Sequence, residues 1–490
     1  MLRITSASAA DLFDIAATRR IEQAAAAALP PHALMQRAGL AVARLAMAVA
    51  PHARTVWIAC GPGNNGGDGF EAAAQLQARG FAPVVTCIGD EARWPADARA
   101  SLQRARNAGV TFADTPPAHW DLAIDALLGI GAARPPEGRM LEWLRSMHAA
   151  PAPLLSVDTP SGLNTDTGAL SFELPPATPA SAPRLCLSLL TLKPGLFTAQ
   201  GRDAAGEVWF DDLGLGPGTE APSARLPGAA PAALRRQSSH KGSYGDVAVI
   251  GGAAGMAGAA VLAASAALGA GAGRVFVAPL DTHVTPLDLL RPELMFRRAD
   301  ALDLGAMTVV CGCGGGTAIA DVLPRVLAQA RALVLDADAL NAIASDAALQ
   351  ALLRARSNAG QATVLTPHPL EAARLLTTNT GEVQADRLGA ASRLAAHFGA
   401  VVVLKGSGTV IAAVGAVPVI NHSGNARLAT AGTGDVLAGM VGARMAAGLP
   451  AQAAACQAVW THGDLADRWP AGLPLTAGAL ARGGLPLPSA

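Results

Sequence analysis

Gly432-Thr433-Gly434-Asp435, followed by the apolar run Val436-Leu437-Ala438, puts two glycines, a hydroxyl and a carboxylate at the start of a helix-forming stretch. Glycines let a turn bring its backbone N–H groups close to a ligand. At a helix N-terminus those amides and the dipole favour an anion. A carboxylate is out of place there if the only task is to hold phosphate. It fits a base, Asp435, beside a developing negative charge that the amides stabilise. Alone, the tetrapeptide is more often a helix cap, so the rest of the chain has to supply the weight.

A second glycine-rich turn, Gly61-Pro62-Gly63-Asn64-Asn65-Gly66-Gly67-Asp68-Gly69, follows a strand-like run. Gly61, Gly63 and Gly66 satisfy G-x-G-x-x-G, and Asp90 ends the next strand, so a dinucleotide site of an NAD-dependent oxidoreductase is a competing reading. Asn64, Asn65 and Asp68 add oxygens and amides where pyrophosphate needs none. That set suits a small cation with the hydroxyl and amide groups of a ligand. Asp125 and Asp158 close further strand-like runs, where ligands collect in open α/β sheets. Lys405-Gly406-Ser407-Gly408-Thr409 offers a cation, amides and hydroxyls to a phosphate chain without being a P-loop. Thr366-Pro367-His368-Pro369, with Glu371 beyond it, ends another strand. Each has an ordinary alternative: a turn or cap for the aspartates, a capping or packed histidine, a hairpin entry for Lys405 to Thr409. Cys311-Gly312-Cys313 lacks the spacing of a redox or zinc motif and reads as structural.

The elements that must position these residues alternate. Residues 8–29 and Leu34 to Val49 read as helices. Strand-like runs follow at 55–60, 83–88, 122–127, 154–158, 184–190 and 207–210, with helices at 69–79 and 97–107. After a Pro/Gly/Ala-rich stretch the pattern restarts, with strands at 246–250, 274–278, 308–311, 332–336, 363–366 and 401–404 and a hairpin over 409–420. Two α/β domains are expected, 1–215 and 233–490, joined by a linker over 216–232. Thirty-seven basic residues balance 37 acidic ones, which argues against a nucleic-acid footprint. Asp11, Asp14 and Glu22 interrupt any signal peptide, and the 6 cysteines read as reduced thiols, so a cytoplasmic enzyme is expected. Residues 251–273 carry no charge, but their Ala and Gly suit a turn and buried helix rather than a membrane span.

GPGNNGGDGF at 61–70, DALLGIGAARP at 125–135 and SVDTPSGLNTDTG at 156–168, with LMQRAG at 34–39 and LKPG at 192–195, resemble the NAD(P)H-hydrate epimerase domain over residues 10–215. The resemblance implies a Rossmann-like three-layer α/β/α fold. It implies that Asn64, Asn65, Gly66, Gly67, Asp68, Gly129, Ile130, Gly131, Ala132, Ala133, Arg134 and Pro135 contact the hydrated nucleotide. Asp158 would bind it too and serve as acid/base, and Asn65, Asp125 and Ser161 would hold K⁺. Residues 184–188, Arg-Leu-Cys-Leu-Ser, depart from the family's threonine-rich strand just before Lys193.

Residues 232–485 resemble the ADP- or ATP-dependent NAD(P)H-hydrate dehydratase domain, which implies a ribokinase-like α/β fold. By that resemblance Lys405, Gly406, Ser407, Gly408, Thr409 and the stretch Asn425 to Gly434 bind the adenine nucleotide, Asp435 and His368 the hydrate, and Ala260 and Gly316 line its site. Leu370 stands where the family usually has Gly, and Cys311-Gly312-Cys313-Gly314-Gly315-Gly316 replaces the usual Gly-Pro-Gly-Leu-Gly turn. The implied partners are the hydrates NADHX and NADPHX, and ADP with Mg²⁺, with no nucleic acid and no membrane; homo-oligomer formation stays open. Asp435 would start the dehydration as base. A ribokinase-like small-molecule kinase shares this chemistry, and a non-catalytic interaction module is the remaining alternative for the first half.

Overall fold

The computed structural model describes residues 1–131, 134–175, 182–231 and 235–483. They form two compact units, Met1–Thr5 with Ala10–Ala224, and Ser6–Ala9 with Arg225–Ala490.

In the first unit, helices α1 (Ile15–Ala27) and α2 (Ala33–Val49) precede the main sheet. The expected helix over 8–29 fails at its front: Ala9–Leu12 is extended, and Asp14 caps α1 by accepting from the Ala17 N–H at 2.7 Å. An extended aspartate satisfies an amide that the helix itself cannot, so the helix starts after it. The parallel strands β1 (Thr55–Cys60), β2 (Ala82–Cys87), β3 (Leu122–Ala126), β4 (Leu154–Val157), β5 (Arg184–Leu189) and β6 (Glu207–Asp211) lie in the order β6-β5-β4-β3-β1-β2. Most of β1 is buried on both faces, as an unbroken run such as Val56-Trp57-Ile58-Ala59-Cys60 requires. The chain winds from β1 out to β2, then returns to β3 on the other side of β1. The crevice at the C-terminal ends of β1 and β3 is therefore a topological switch point, the usual ligand position in such sheets.

Helix α3 (Asn64–Gln77) fills that point and starts earlier than the expected Gly69, so the Asn-Asn-Gly-Gly-Asp run forms its first turns. Close approach explains two glycines there. A Cβ on Gly61 would lie 1.8 Å from the Leu127 carbonyl oxygen, and one on Gly66 would lie 2.0 Å from that of Gly61. Helix α4 (Ala96–Asn107) packs beside α3.

The second unit repeats the logic. Strands β7 (Asp246–Gly251), β8 (Arg274–Pro279), β9 (Thr308–Cys311), β10 (Ala332–Leu335), β11 (Thr363–Leu365), β12 (Val401–Leu404), β13 (Thr409–Ala412) and β14 (Val419–Asn421) run in the order β8-β7-β9-β10-β11-β12-β13-β14. Strands β13 and β14 pair antiparallel, the expected hairpin. The switch point here falls between β7 and β9. Helices α5 (Ala257–Gly269), α6 (Asp338–Ser345), α7 (Pro369–Leu375), α8 (Arg387–Phe398), α9 (Thr433–Ala446) and α10 (Ala451–Asp467) complete the elements that matter for the site. Apolar clusters lie on both faces of the sheet, Val249, Val277 and Val441 in one and Ile250, Leu335 and Leu365 in the other. Residues 6–9 belong to this unit, where the Trp460 indole N–H donates to the Ser6 carbonyl at 2.7 Å.

The uncharged stretch 251–273 is a turn and then α5, and no helix among the described residues is long and apolar enough to cross a membrane. Alanines on α5 let α9 approach closely: a Cβ on Gly439 would lie 2.0 Å from the Ala263 carbonyl oxygen. Since α9 carries Asp435, this contact sets the depth of the candidate base. Gly439→Ala is expected to destabilise by about 1–3 kcal/mol through overpacking. Gly258→Ala, where a Cβ meets nothing within 4 Å, should be neutral or stabilising by up to about 1 kcal/mol. Urea unfolding of the two variants checks the contrast, and equal midpoints would refute it.

Candidate functional site

The first unit holds a cleft of about 760 Å³ lined by residues that include Asn64, Asn65, Asp68, Gly129, Ile130, Gly131 and Asp158. Gly66 and Gly67 instead make the helix fit: a Cβ on Gly67 would press on Met35 at 2.6 Å. Arg134 and Pro135 are exposed, and Ala132 and Ala133 lie outside the described residues.

Asp158 follows β4 at φ 64, a left-handed value that costs an aspartate energy. The Thr159 N–H donates to the Val157 carbonyl at 2.7 Å, closing a tight turn around it. The carboxylate is held by Lys193, which donates to Oδ1, and by the Leu189 N–H at 3.0 Å. Lys193 has no exposed surface and also donates to the Leu189 carbonyl at 2.9 Å and to Ser188 Oγ at 3.3 Å. The unusual strand before Lys193 thus still delivers the ammonium to Asp158. Across the cleft, burial pushes the Asp68 carboxyl well above the usual carboxylate range, and Asp158, Glu22, Glu71 and Asp97 add repulsion. Glu22, on α1, is raised by burial and then by Asp158. It lines the cleft and was not singled out from the sequence, where only its interruption of a signal peptide stood out.

Beneath the cleft, Asp125 on β3 is 1% exposed. Ser161 donates to it twice, through Oγ at 2.6 Å and its N–H at 2.9 Å. Burial raises the Asp125 carboxyl, and Ser161 and the Leu127 N–H pull it back. Asn65 is buried with Nδ2 lacking a hydrogen-bond partner among the described residues, and its side chain packs at the backbone of Gly129. The Asp125 carboxylate, the Ser161 hydroxyl and the Asn65 side-chain carbonyl offer the oxygen atoms that a monovalent cation takes, whereas the unpartnered Asn65 Nδ2 carries hydrogens and ligates no cation.

In the second unit the strand ends converge. Lys405, after β12, donates to Asp336 Oδ1 at 2.7 Å, and Thr366, after β11, donates to the same oxygen at 2.8 Å. Burial works against the Lys405 charge, but Asp336 and Glu371 outweigh it and raise its pKa. Asp435 lies in the first turn of α9, pushed up to about 6 by burial and then by Asp336, with Cys313 and Lys405 pulling it back. A Cβ on Gly434 would lie 3.3 Å from Lys405 Nζ, so the glycine turn and the ammonium face one another. Gly432, at φ 88, caps α9; a Cβ there would press on Leu262 at 2.7 Å. His462, held neutral near 4 by burial, donates from Nε2 to the Thr433 carbonyl at 3.0 Å and braces the turn.

His368 caps α7, its Nδ1 accepting from the Leu370 N–H at 3.1 Å, with Nε2 lying 3.2 Å from Glu371. Burial, then Lys405, lowers the imidazole, while burial raises Glu371 to about 7. The Gly316 N–H donates to Asp338 Oδ2 at 2.8 Å, and the Ala260 methyl is fully buried in the core. The loop from Lys405 to Thr409 rests on Arg387 of α8, which is 1% exposed and donates to the Leu404 and Lys405 carbonyls at 3.1 Å each. A Cβ on Gly406 would lie 2.9 Å from that guanidinium. Asn425 is tied to α10 through the Ala466 carbonyl at 2.9 Å.

Sequence reasoning missed Asp336, Asp338 and Arg387, and read Cys313 as merely structural. Asp336 had a signal: it ends an apolar strand-like run, as Asp125 and Asp158 do. Cys313, fully buried, places its Sγ 3.9 Å from Asp336 Oδ2, so its thiol belongs to the polar centre because the turn after β9 aims it there. The predicted residues of each half gather within their own unit.

The chain matches two families: one described as NAD(P)H-hydrate dehydratase, over residues 247–479, and one described as YjeF-related protein N-terminus, over residues 31–195. A bifunctional NAD(P)H-hydrate repair enzyme of Escherichia coli (strain K12) is 37% identical over 452 residues, 89% of this chain and 84% of that protein. An ADP-dependent (S)-NAD(P)H-hydrate dehydratase of Neisseria meningitidis is 46% identical over 255 residues, 50% of this chain and 84% of that protein. Among solved structures, an ADP/ATP-dependent NAD(P)H-hydrate dehydratase of Bacillus subtilis co-crystallised with ATP and Mg²⁺ is 29% identical, covers 51% of this chain and 91% of that one, and has a TM-score of 0.42.

Removing the Asp158 carboxylate would leave Lys193 charged and without its counterion inside the first unit. Asp158→Ala is expected to cost about 3–5 kcal/mol, and Asp158→Asn combined with Lys193→Met to recover most of it. Urea unfolding of the full chain measures both; an Asp158→Ala protein with the wild-type midpoint would contradict the pairing.

Proposed function

The chain belongs to the family of bifunctional NAD(P)H-hydrate repair enzymes, and on that premise we propose that its first unit epimerises the R and S hydrates of NADH and NADPH. The second unit then dehydrates the S form at the expense of ADP, giving AMP, phosphate and the restored NAD(P)H. The observation that carries the dehydratase assignment is Asp435 in the first turn of α9, beside the glycine amides and facing Lys405.

Water is a poor leaving group, so the hydroxyl must first be activated. Asp435 takes the hydroxyl proton as the substrate oxygen attacks the β-phosphorus of ADP, and AMP leaves. The Gly432 to Gly434 amides and Lys405 hold the transferring group. Loss of a ring proton and of phosphate then restores the double bond. Lys405 to Thr409 and Asn425 to Gly434 are the proposed nucleotide contacts, with Arg387 fixing the first loop from behind. His368, Gly316 and the backbone at Ala260 are assigned to the hydrate. Mg²⁺ bound with ADP beside the loop from Lys405 to Thr409 would supply positive charge to its phosphates.

In the first unit, inversion at the hydroxyl-bearing ring carbon needs a bond to break and re-form while a proton is removed and returned. Asp158, ion-paired with Lys193, is the proposed acid/base group, with Asn64 to Asp68 and Gly129 to Pro135 as the proposed contacts to the hydrate. Asp68, which lines the same cleft, is raised well above the usual carboxylate range by burial. K⁺ is assigned to Asn65, Asp125 and Ser161, where it would relieve the buried carboxylate and fix the loops that hold the substrate. The chain's proposed place is the cytoplasm, among its soluble nucleotide substrates.

The first experiment follows recovery of reduced-nicotinamide absorbance from mixed-epimer NADH hydrate with ADP, Mg²⁺ and K⁺. Complete recovery, corrected for spontaneous epimerisation, is expected. A stall at one epimer's share would remove the epimerase assignment, and no recovery with ADP or ATP would favour a small-molecule kinase. Asp435→Asn should lower dehydratase kcat by roughly 10²–10⁴-fold with KM little changed. Because the base must be ionised, wild-type kcat is expected to fall as pH drops through about 6. Asp158→Asn should abolish epimerisation and leave dehydration of the S form intact.

A further inference from the structure

Asp336, Asp435 and Cys313 converge at the strand ends of the second unit. The Cys313 Sγ and one oxygen of each carboxylate all lie within 4.8 Å of one another. The Sγ is 3.9 Å from Asp336 Oδ2, while Asp336 Oδ1 is taken by Lys405 and Thr366. Two carboxylates this close repel, and such pairs ordinarily share a proton, leaving one of them unable to act as a base. A neutral thiol between them supplies a hydrogen that neither carboxylate has to keep. Burial and the facing carboxylates hold the Cys313 thiol well above its usual range, so it stays protonated. The turn fixes it in place: Gly312 at φ 119 and Gly314 at φ 58 adopt backbone conformations that side chains disfavour, and a Cβ on Gly312 would lie 2.0 Å from the Asp336 carbonyl oxygen.

We propose that Cys313 is a positioning residue of the dehydratase site, its thiol hydrogen keeping Asp336 and Asp435 from sharing a proton and so leaving Asp435 free to accept one from the substrate. This rests on the assignment of Asp435 as base. The other groups facing Asp435 are Lys405 after β12, Asp336 after β10 and Asp338 on α6. His462 of α10 reaches the same turn but is held neutral near 4. Thr366, a neutral donor to Asp336, is engaged at Oδ1, whereas Cys313 lies at Oδ2.

The test is the pH profile of dehydratase kcat for the full chain, with S-hydrate, ADP and Mg²⁺, in wild type, Cys313→Ala and Cys313→Ser. Cys313→Ala should move the acid limb up by roughly half to one pH unit. At pH 6 its kcat should fall about two- to fivefold, with kcat at pH 8 and the KM for ADP near wild type. Cys313→Ser keeps a donor, so its limb should stay at or below that of wild type. An unshifted limb in Cys313→Ala, or an equal loss at every pH, overturns the proposal. If Cys313→Ala does not fold, the serine variant decides: a limb above that of wild type overturns it. Absence of dehydratase activity in the wild type would instead overturn the assignment of the reaction.

Discussion

Lys405 donates to Asp336 at 2.7 Å, and Lys193, with no exposed surface, donates to Asp158. In each unit an ammonium arriving from one strand end meets a carboxylate at another. Burying either charge alone would cost several kcal/mol, so each is tolerable only because the other is there. The parallel strands make the pairing possible, since parallel neighbours deliver their C-terminal ends to the same rim. The two pairs differ in what they leave over. Asp158 keeps one oxygen toward a cleft in which burial raises the Asp68 and Glu22 carboxyls. Asp336 spends one oxygen on Lys405 and Thr366 and turns the other toward Cys313.

The reactive groups are thus defined by their surroundings more than by their own chemistry. Asp435 would be an ordinary first-turn carboxylate in water. Under partial burial and beside Asp336 it sits near 6, ionised at neutral pH and basic enough to take a proton. Asp68 carries the same functional group, and burial raises it well above the usual carboxylate range. The same side chain is therefore tuned differently in the two units.

Much of this was legible because it is local. Glycine turns, strand-end aspartates and the lysine before Gly406-Ser407-Gly408 are written in consecutive residues, and they named both rims. Helix α3 began earlier than expected because Asn64 and Asn65 look like loop residues until the surrounding close contacts force a helix on them. What stayed hidden were partners distant in sequence. The link between Lys193 and Asp158, Arg387 behind the Lys405 loop and Glu22 in the first cleft all depend on which elements the fold brings together. The neighbours of Cys313 were hidden for the same reason: its spacing from Cys311 is uninformative, and only the fold brings it to Asp336 and Asp435.

The second unit is not one continuous stretch of polypeptide. Residues 6–9 belong to it, and the Trp460 indole spends its only hydrogen on the Ser6 carbonyl. The chain therefore contributes to the second unit before it has built the first. A single scission between 224 and 225 would not release an intact half, because the fragment from 225 onward leaves behind a segment that answers a hydrogen bond on α10. With residues 10–224 of the first unit lying between the two pieces of the second, covalent continuity is part of how the second unit is finished.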